Sequence, residues 1–178
     1  YELLIESGKF RIPIGTDNSI CDLTQKLKSE LALAFDLLEN QHNDEFIQLI
    51  GLLALQIQMH CRLRPDALLA ALHTDHKSVY SLVQPLHCGA MCEVVAKAMG
   101  MSVLARQSLI CAALTQNIGY YNEQQRINDE PGALNETDRQ LIIKHPSVGY
   151  GLLVNAGVDN EIWLDAVLHH HEQLNGDG

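Results

Sequence analysis

From Asp17 to Gln173 the apolar residues of this chain recur at helical spacing, and very little alternates with the period of a strand. Leu23, Leu27, Leu31, Phe35 and Leu38 trace one stripe behind an Asn18-Ser19 start, and a polar break over Glu39 to Asp44 ends it. Phe46, Ile50, Leu53, Ile57 and Cys61 trace a second. Pro65 opens a short third helix, its fixed φ suiting a first helical position. A fourth helix is predicted from Ser78 to Gly100, interrupted or kinked by Pro85 and closed by Gly100. A fifth runs from about Val103 to Ile118. Residues Tyr120 to Leu134 are polar, include Asn128-Asp129-Glu130-Pro131-Gly132, and read as a loop. Asn135 with Asp138 resembles a capping box for a helix ending near Lys144. Pro146 then starts another, ended by Gly157, and Asp159 to Gln173 forms the last before the turn residues Asn175-Gly176-Asp177-Gly178. The expected fold is an all-α helical bundle. Its exception is Tyr1 to Gly15, where strand-like pieces at Leu3 to Ile5 and Phe10 to Ile14 are broken by Gly8 and Pro13. Residues 1–16 therefore read as an N-terminal segment or a linker from an upstream domain, and 17–178 as one helical domain.

The chain has 178 residues, enough for one domain with a real hydrophobic core. Its 12 basic against 22 acidic residues give a net charge of −10, which excludes a general scaffold for nucleic-acid polymers. That balance leaves room for a small anionic ligand, because a bound cation supplies the positive charge locally. Leu49 to Leu55 is the densest apolar run, far short of the roughly 20 residues a membrane span needs. No signal-peptide pattern opens the sequence. The expectation is a cytoplasmic protein without membrane insertion. The cysteines, Cys21, Cys61, Cys88, Cys92 and Cys111, are odd in number and contain no CxxC pair, so reduced, mostly buried thiols are expected. Cys88 and Cys92 share one helix face, which keeps a thiolate metal site open as the alternative to core packing.

Nine histidines are unusual in an acidic chain, and His87, His145 and the run His169-His170-His171 carry the chemical interest. Imidazoles converging from separate helices are a common way to build a metal site in a bundle, and they suit Zn, Fe, Mn or Ni. Adjacent histidines on a helix diverge by about a hundred degrees, so a pair late in a helix faces two ions, or one ion and a ligand. His42, His60, His73 and His76 read more simply as ordinary polar or capping groups.

The order of these residues carries a resemblance. His87, the segment Ala113-Leu114-Thr115-Gln116-Asn117-Ile118-Gly119, His145-Pro146, and His170-His171-Glu172 followed by Asn175-Gly176-Asp177-Gly178 resemble the HD-GYP branch of the HD phosphohydrolase superfamily. That branch has the pattern H…HDxGK…HP…HHE…DGxGYP, and the likeness spans about Leu68 to Gly178. It implies an all-helical domain with a divalent metal centre, of Fe, Mn or Zn, that hydrolyses a phosphodiester of cyclic di-GMP. By motif, His87 matches the first histidine ligand, His145 the histidine of the HP motif, and His170 and His171 the paired histidines.

The departures fall on one function. Gln116 and Asn117 stand at the HD pair; an amide gives no anionic bridge between two cations, and Gln116 replaces an imidazole. Tyr120 stands where the lysine belongs, and Val83 stands four residues before His87, where some members carry a glutamate. The sequence stops before the Tyr-Pro of the last motif, so a C-terminally incomplete domain is expected. Together these imply a degenerate signalling domain, regulatory or ligand-binding, with weak or no hydrolysis and one metal ion or none. Its expected partners are a cyclic dinucleotide or a signalling protein, with a homodimer as the assembly. A divergent metal-dependent phosphodiesterase is the alternative, and a helical module holding a cofactor such as haem is a third reading. Lys144, beside His145, and Tyr120 are the candidate substrate contacts; the simpler reading of Lys144 is a cation at a helix C-terminus.

Overall fold

The first stripe becomes the buried face of α1 (Ile20–Glu39), with Leu23, Leu27, Leu31 and Phe35 inside and Leu38 packed at the margin. The second becomes α2 (Asn43–Leu63), whose Phe46, Ile50, Leu53 and Ile57 have no solvent exposure. In the computed structural model, which describes residues 20–130, 132–173 and 175–176, the architecture is all-α. The remaining helices are α3 (Pro65–His73), α4 (Tyr80–Ala98), α5 (Val103–Thr115), α6 (Tyr121–Asp129), α7 (Glu136–Ala156) and α8 (Glu161–Leu168), with a 3-10 turn over Ile118–Tyr120. The strand-like pieces expected before Gly15 lie outside the described residues.

α2 lies at the centre, against α1, α4 and α5, and α8 packs across α5. Leu68, Leu72, Leu86, Ile110, Leu114 and Leu153 complete the water-free interior. α2 is long and apolar enough, by length and composition alone, to cross a membrane, which a search for unbroken apolar runs overlooks. In the fold its apolar stripe faces the other helices.

Polar contacts pin the helices to each other. Trp163 of α8 donates its indole N–H to Thr115 Oγ1 (2.8 Å), and that hydroxyl donates to the Cys111 carbonyl (2.8 Å). Buried Glu93 accepts from Arg106 Nε at 3.1 Å and from Gln58 Nε2 at 3.2 Å, which offsets the cost of burying its charge. Lys28 and Ser78 both donate to Asp75, holding its carboxyl well below the usual range. The turn after α1 places Gln41 at φ 60°, while His42 N–H reaches back to the Leu37 carbonyl at 2.8 Å. That is the left-handed close of a Schellman-type cap with a residue other than glycine in it.

Three expectations need correction. The polar segment Tyr120 to Leu134 is not a plain loop, because its Gln124 and Ile127 bury one face of α6. The helix starting at Asn135 does not end near Lys144; α7 runs through Pro146 to Ala156, so Lys144 is an exposed mid-helix residue and no C-terminal cap. The last helix stops at Leu168, leaving His169, His170 and His171 in the turn beyond it. Pro85 likewise sits inside a continuous α4.

Candidate metal centre

A proline within a helix deletes the amide that would bond the carbonyl four residues earlier. In α7 that carbonyl belongs to Ile142, and the ring of His145 takes it, with Nδ1 at 2.6 Å from the oxygen. A carbonyl only accepts, so Nδ1 carries the proton and Nε2 is left with its lone pair. His145 is 1% exposed. At the other side of the site, α8 ends at Leu168 and leaves the carbonyls of its last turn without helical partners. His170 Nδ1 donates to one of them, Val167 O, at 2.8 Å.

Both rings therefore present unprotonated Nε2 atoms, and these face each other at 2.9 Å. His171 closes the group, its ring edge-on to His145 at 5.1 Å and tilted against His170 at 4.3 Å between centroids. One ligand atom from each of the three rings lies within 4.8 Å of the others, so the cluster could hold a metal ion. Burial pushes His145 down to about 4, and the nearby His170 and His171 push the same way against the bond to Ile142. Burial also lowers His170. At neutral pH the proton is thus a poor occupant of the space between two facing lone pairs.

The wall opposite α7 is the 3-10 turn. A Cβ at Gly119 would sit 2.2 Å from the His145 carbonyl oxygen and 2.8 Å from the Gly149 nitrogen, so only glycine lets the turn touch the α7 backbone here. The close approach lays the Tyr120 ring on His145, with centroids 4.5 Å apart. Burial raises the Tyr120 phenol, with Tyr80 adding to the shift, so it stands as a neutral proton donor.

Gln116 and Asn117, between α5 and the turn, belong to a different cluster. Asn117 Nδ2 donates to Gln84 Oε1 (3.2 Å), and Gln84 Nε2 donates to Cys88 Sγ (3.3 Å). The Gln116 amide lies beside the same thiol, a soft contact that leaves its buried Nε2 without a well-directed partner. Burial raises the Cys88 and Cys92 thiols, which keeps them protonated and favours packing over a thiolate metal site. The described cysteines are all free.

The structure thus brings His145, His170, His171 and Tyr120 together and places Gln116 and Asn117 in the amide–thiol cluster. His87 is not one of the three grouped imidazoles. Its ring lies against His73 of α3, with centroids 5.6 Å apart, and burial followed by His73 lowers its pKa. Lys144 is exposed on α7. Gln84 escapes sequence reasoning as a site residue, and Cys88 enters it only through its pairing with Cys92; the four-residue spacing of Gln84 and Cys88 on α4 is the one trace their contact leaves. Two surface recesses open elsewhere, one along α8 beside Tyr150, Ile162 and Leu168, the other near Ile47, Leu104 and Trp163. Neither is lined by the histidines.

Comparison with known proteins gives one family and two relatives. A family model described as an HD domain matches residues 55–178. A 3'3'-cGAMP-specific phosphodiesterase of Vibrio cholerae is 28% identical over 113 residues, 63% of this chain and 26% of that protein. A cyclic di-GMP phosphodiesterase of Pseudomonas aeruginosa is 26% identical over 115 residues, 64% of this chain and 28% of that protein. The chain thus matches about a quarter of the length of each of these relatives. No solved structure shows a significant match.

Proposed function

We propose, from the premise that this chain belongs to the HD domain family, that it is a degenerate HD-GYP-like signalling domain. In this reading it holds one divalent ion, Fe, Mn or Zn, on His145, His170 and His171, and binds a cyclic dinucleotide in the cytosol. It hydrolyses that ligand weakly or not at all. The observation that carries the reading is the 2.9 Å approach of two Nε2 atoms whose partner Nδ1 atoms are both committed to carbonyls. Two ligand nitrogens about 2.1 Å from one ion, at the near-right angle of octahedral coordination, stand about 3 Å apart.

The donor set fits one ion and not a two-ion centre. Two cations a few ångströms apart need an anionic ligand between them, and Asn117 is a neutral amide already bonded to Gln84. When bound, the ion would supply Lewis-acid polarisation of a phosphoryl oxygen. The chain's own residues do the rest. Tyr120, neutral and tilted against the His145 ring, donates a hydrogen bond to a ligand oxygen. Exposed Lys144 provides a cation for an anionic ligand in a chain of net charge −10. The two relatives are both named as phosphodiesterases, which keeps hydrolysis of a cyclic dinucleotide as the second reading.

Metal analysis after loading with Mn, Fe or Zn, with binding and hydrolysis of cyclic di-GMP measured on the same samples, tests both. The expected result is one ion per chain, lost in His145→Ala, with nucleotide binding and turnover far below about 1 per second. Failure to take up any of the three ions overturns the metal assignment. Turnover at that rate or above establishes the phosphodiesterase instead.

A further inference from the structure

We propose that Pro146 is a positioning residue for the histidine cluster: by deleting one helix amide it reserves the Ile142 carbonyl for His145 Nδ1, and so fixes the tautomer that offers Nε2 to an ion. The inference deepens the single-ion reading and rests on it for its metal readout, although its tautomer readout needs no metal. Inside a helix the amide of position 146 would bond the carbonyl of position 142. Proline has no such amide, and the oxygen is instead 2.6 Å from the ring of the residue beside it. His145 is buried, so water does not offer Nδ1 a substitute partner. With an amide at position 146 the ring would share or lose its acceptor, and the pull of His170 Nε2 at 2.9 Å would favour the proton on Nε2. That tautomer has its lone pair on the nitrogen turned away from the cluster.

His170 reaches the same state by another route, which makes the assignment more than a local coincidence. Its Nδ1 bonds the Val167 carbonyl, left without a helical partner because α8 ends at Leu168. A proline in mid-helix and a helix terminus thus do one job, each freeing a carbonyl within three residues of an imidazole. Ligating histidines as a class fix their orientation through such a hydrogen bond from the second ring nitrogen, and losing it costs roughly 10–100-fold in metal affinity.

The test is Pro146→Ala, read by nitrogen NMR of the imidazoles in the metal-free protein and by cobalt titration. In the wild type His145 should carry its proton on Nδ1. In the variant the Nε2-protonated form should appear and cobalt affinity should fall about tenfold, with helical content retained. Retained helicity is expected because alanine restores the missing helix hydrogen bond. A variant that keeps the Nδ1 proton and the wild-type affinity overturns the proposal. Should the variant fail to fold, the wild-type spectrum alone decides, since an Nε2 proton on His145 refutes it directly. A wild type with the expected tautomer that binds no cobalt would sink the single-ion reading and leave the positioning role standing.

Discussion

Around His145 two imidazole Nε2 atoms face each other; around Asn117 the side chains are linked amide to amide to thiol, while the buried Gln116 Nε2 beside them has no well-directed partner. In the first set, His145 and His170 each spend one nitrogen on a carbonyl and turn the other inward, 2.9 Å from its counterpart. In the second, Asn117 donates to Gln84 and Gln84 to Cys88, so charge is neither present nor called for. An unsatisfied arrangement is costly in a protein interior and persists where it serves a ligand. Amides and a thiol that bond one another, as Asn117, Gln84 and Cys88 do, are packing, and the Gln116 Nε2 is the one atom of that cluster left over. On the proposed single-ion reading, the difference gives ion binding to the histidines and a structural role to the Asn117–Gln84–Cys88 contacts.

Restoring ligands to the second cluster should break the contrast most strongly. Gln116→His combined with Asn117→Asp is expected to raise ion uptake from one to two per chain and to increase cyclic di-GMP hydrolysis at least about tenfold. Metal analysis that still finds a single ion would show that the amides are not what limits the site. Attacking the scaffold of the histidine cluster is next in size. Gly119→Ala forces a methyl into the His145 carbonyl and should cost about 1–3 kcal/mol, a fall of roughly 2–4 °C in Tm per kcal/mol, together with weaker ion binding. An unchanged Tm would mean that the turn can retreat from α7.

Acid should separate the two clusters. The folded pKa of His145 lies near 4, below the ordinary 6.5, so the native state holds fewer protons than the unfolded chain between those values. Metal-free stability should then be level above about pH 6.5 and fall as the pH drops toward 4, with a shallower fall in His145→Gln. Denaturant titrations at a series of pH values measure both slopes, and identical slopes would remove His145 as the cause. Gln41→Gly, at the left-handed close of α1, should be the smallest effect: a gain of up to about 1 kcal/mol with ion affinity unchanged.

Much of the fold is legible in the sequence because helical burial is periodic. Leu27, Leu31, Phe46, Ile50, Leu53 and Ile57 announce α1 and α2 by spacing, and each of them is fully buried. Pro65 at a helix start and Gly157 at a helix end also act locally, and the structure keeps both. Pro146 shows where local rules mislead. By itself it reads as a boundary, yet α7 continues through it, with the Ile142 carbonyl bonded to a histidine ring. The α6 segment is polar enough to pass for a loop, and only the burial of Gln124 and Ile127 reveals its inner face.

The sequence by itself determined the helical class, the order of the histidines and the neutral side chains at Gln116, Asn117 and Tyr120, because these are properties of residue type and spacing. Tertiary structure alone decided which imidazoles meet. His145 and His170 are separated by 25 positions and converge because the Gly119 backbone can touch α7 while Trp163 ties α8 to Thr115. His87, equally prominent in the sequence, faces His73 instead. Convergence depends on helix packing distances of a few ångströms, and residue spacing along one chain does not encode those distances.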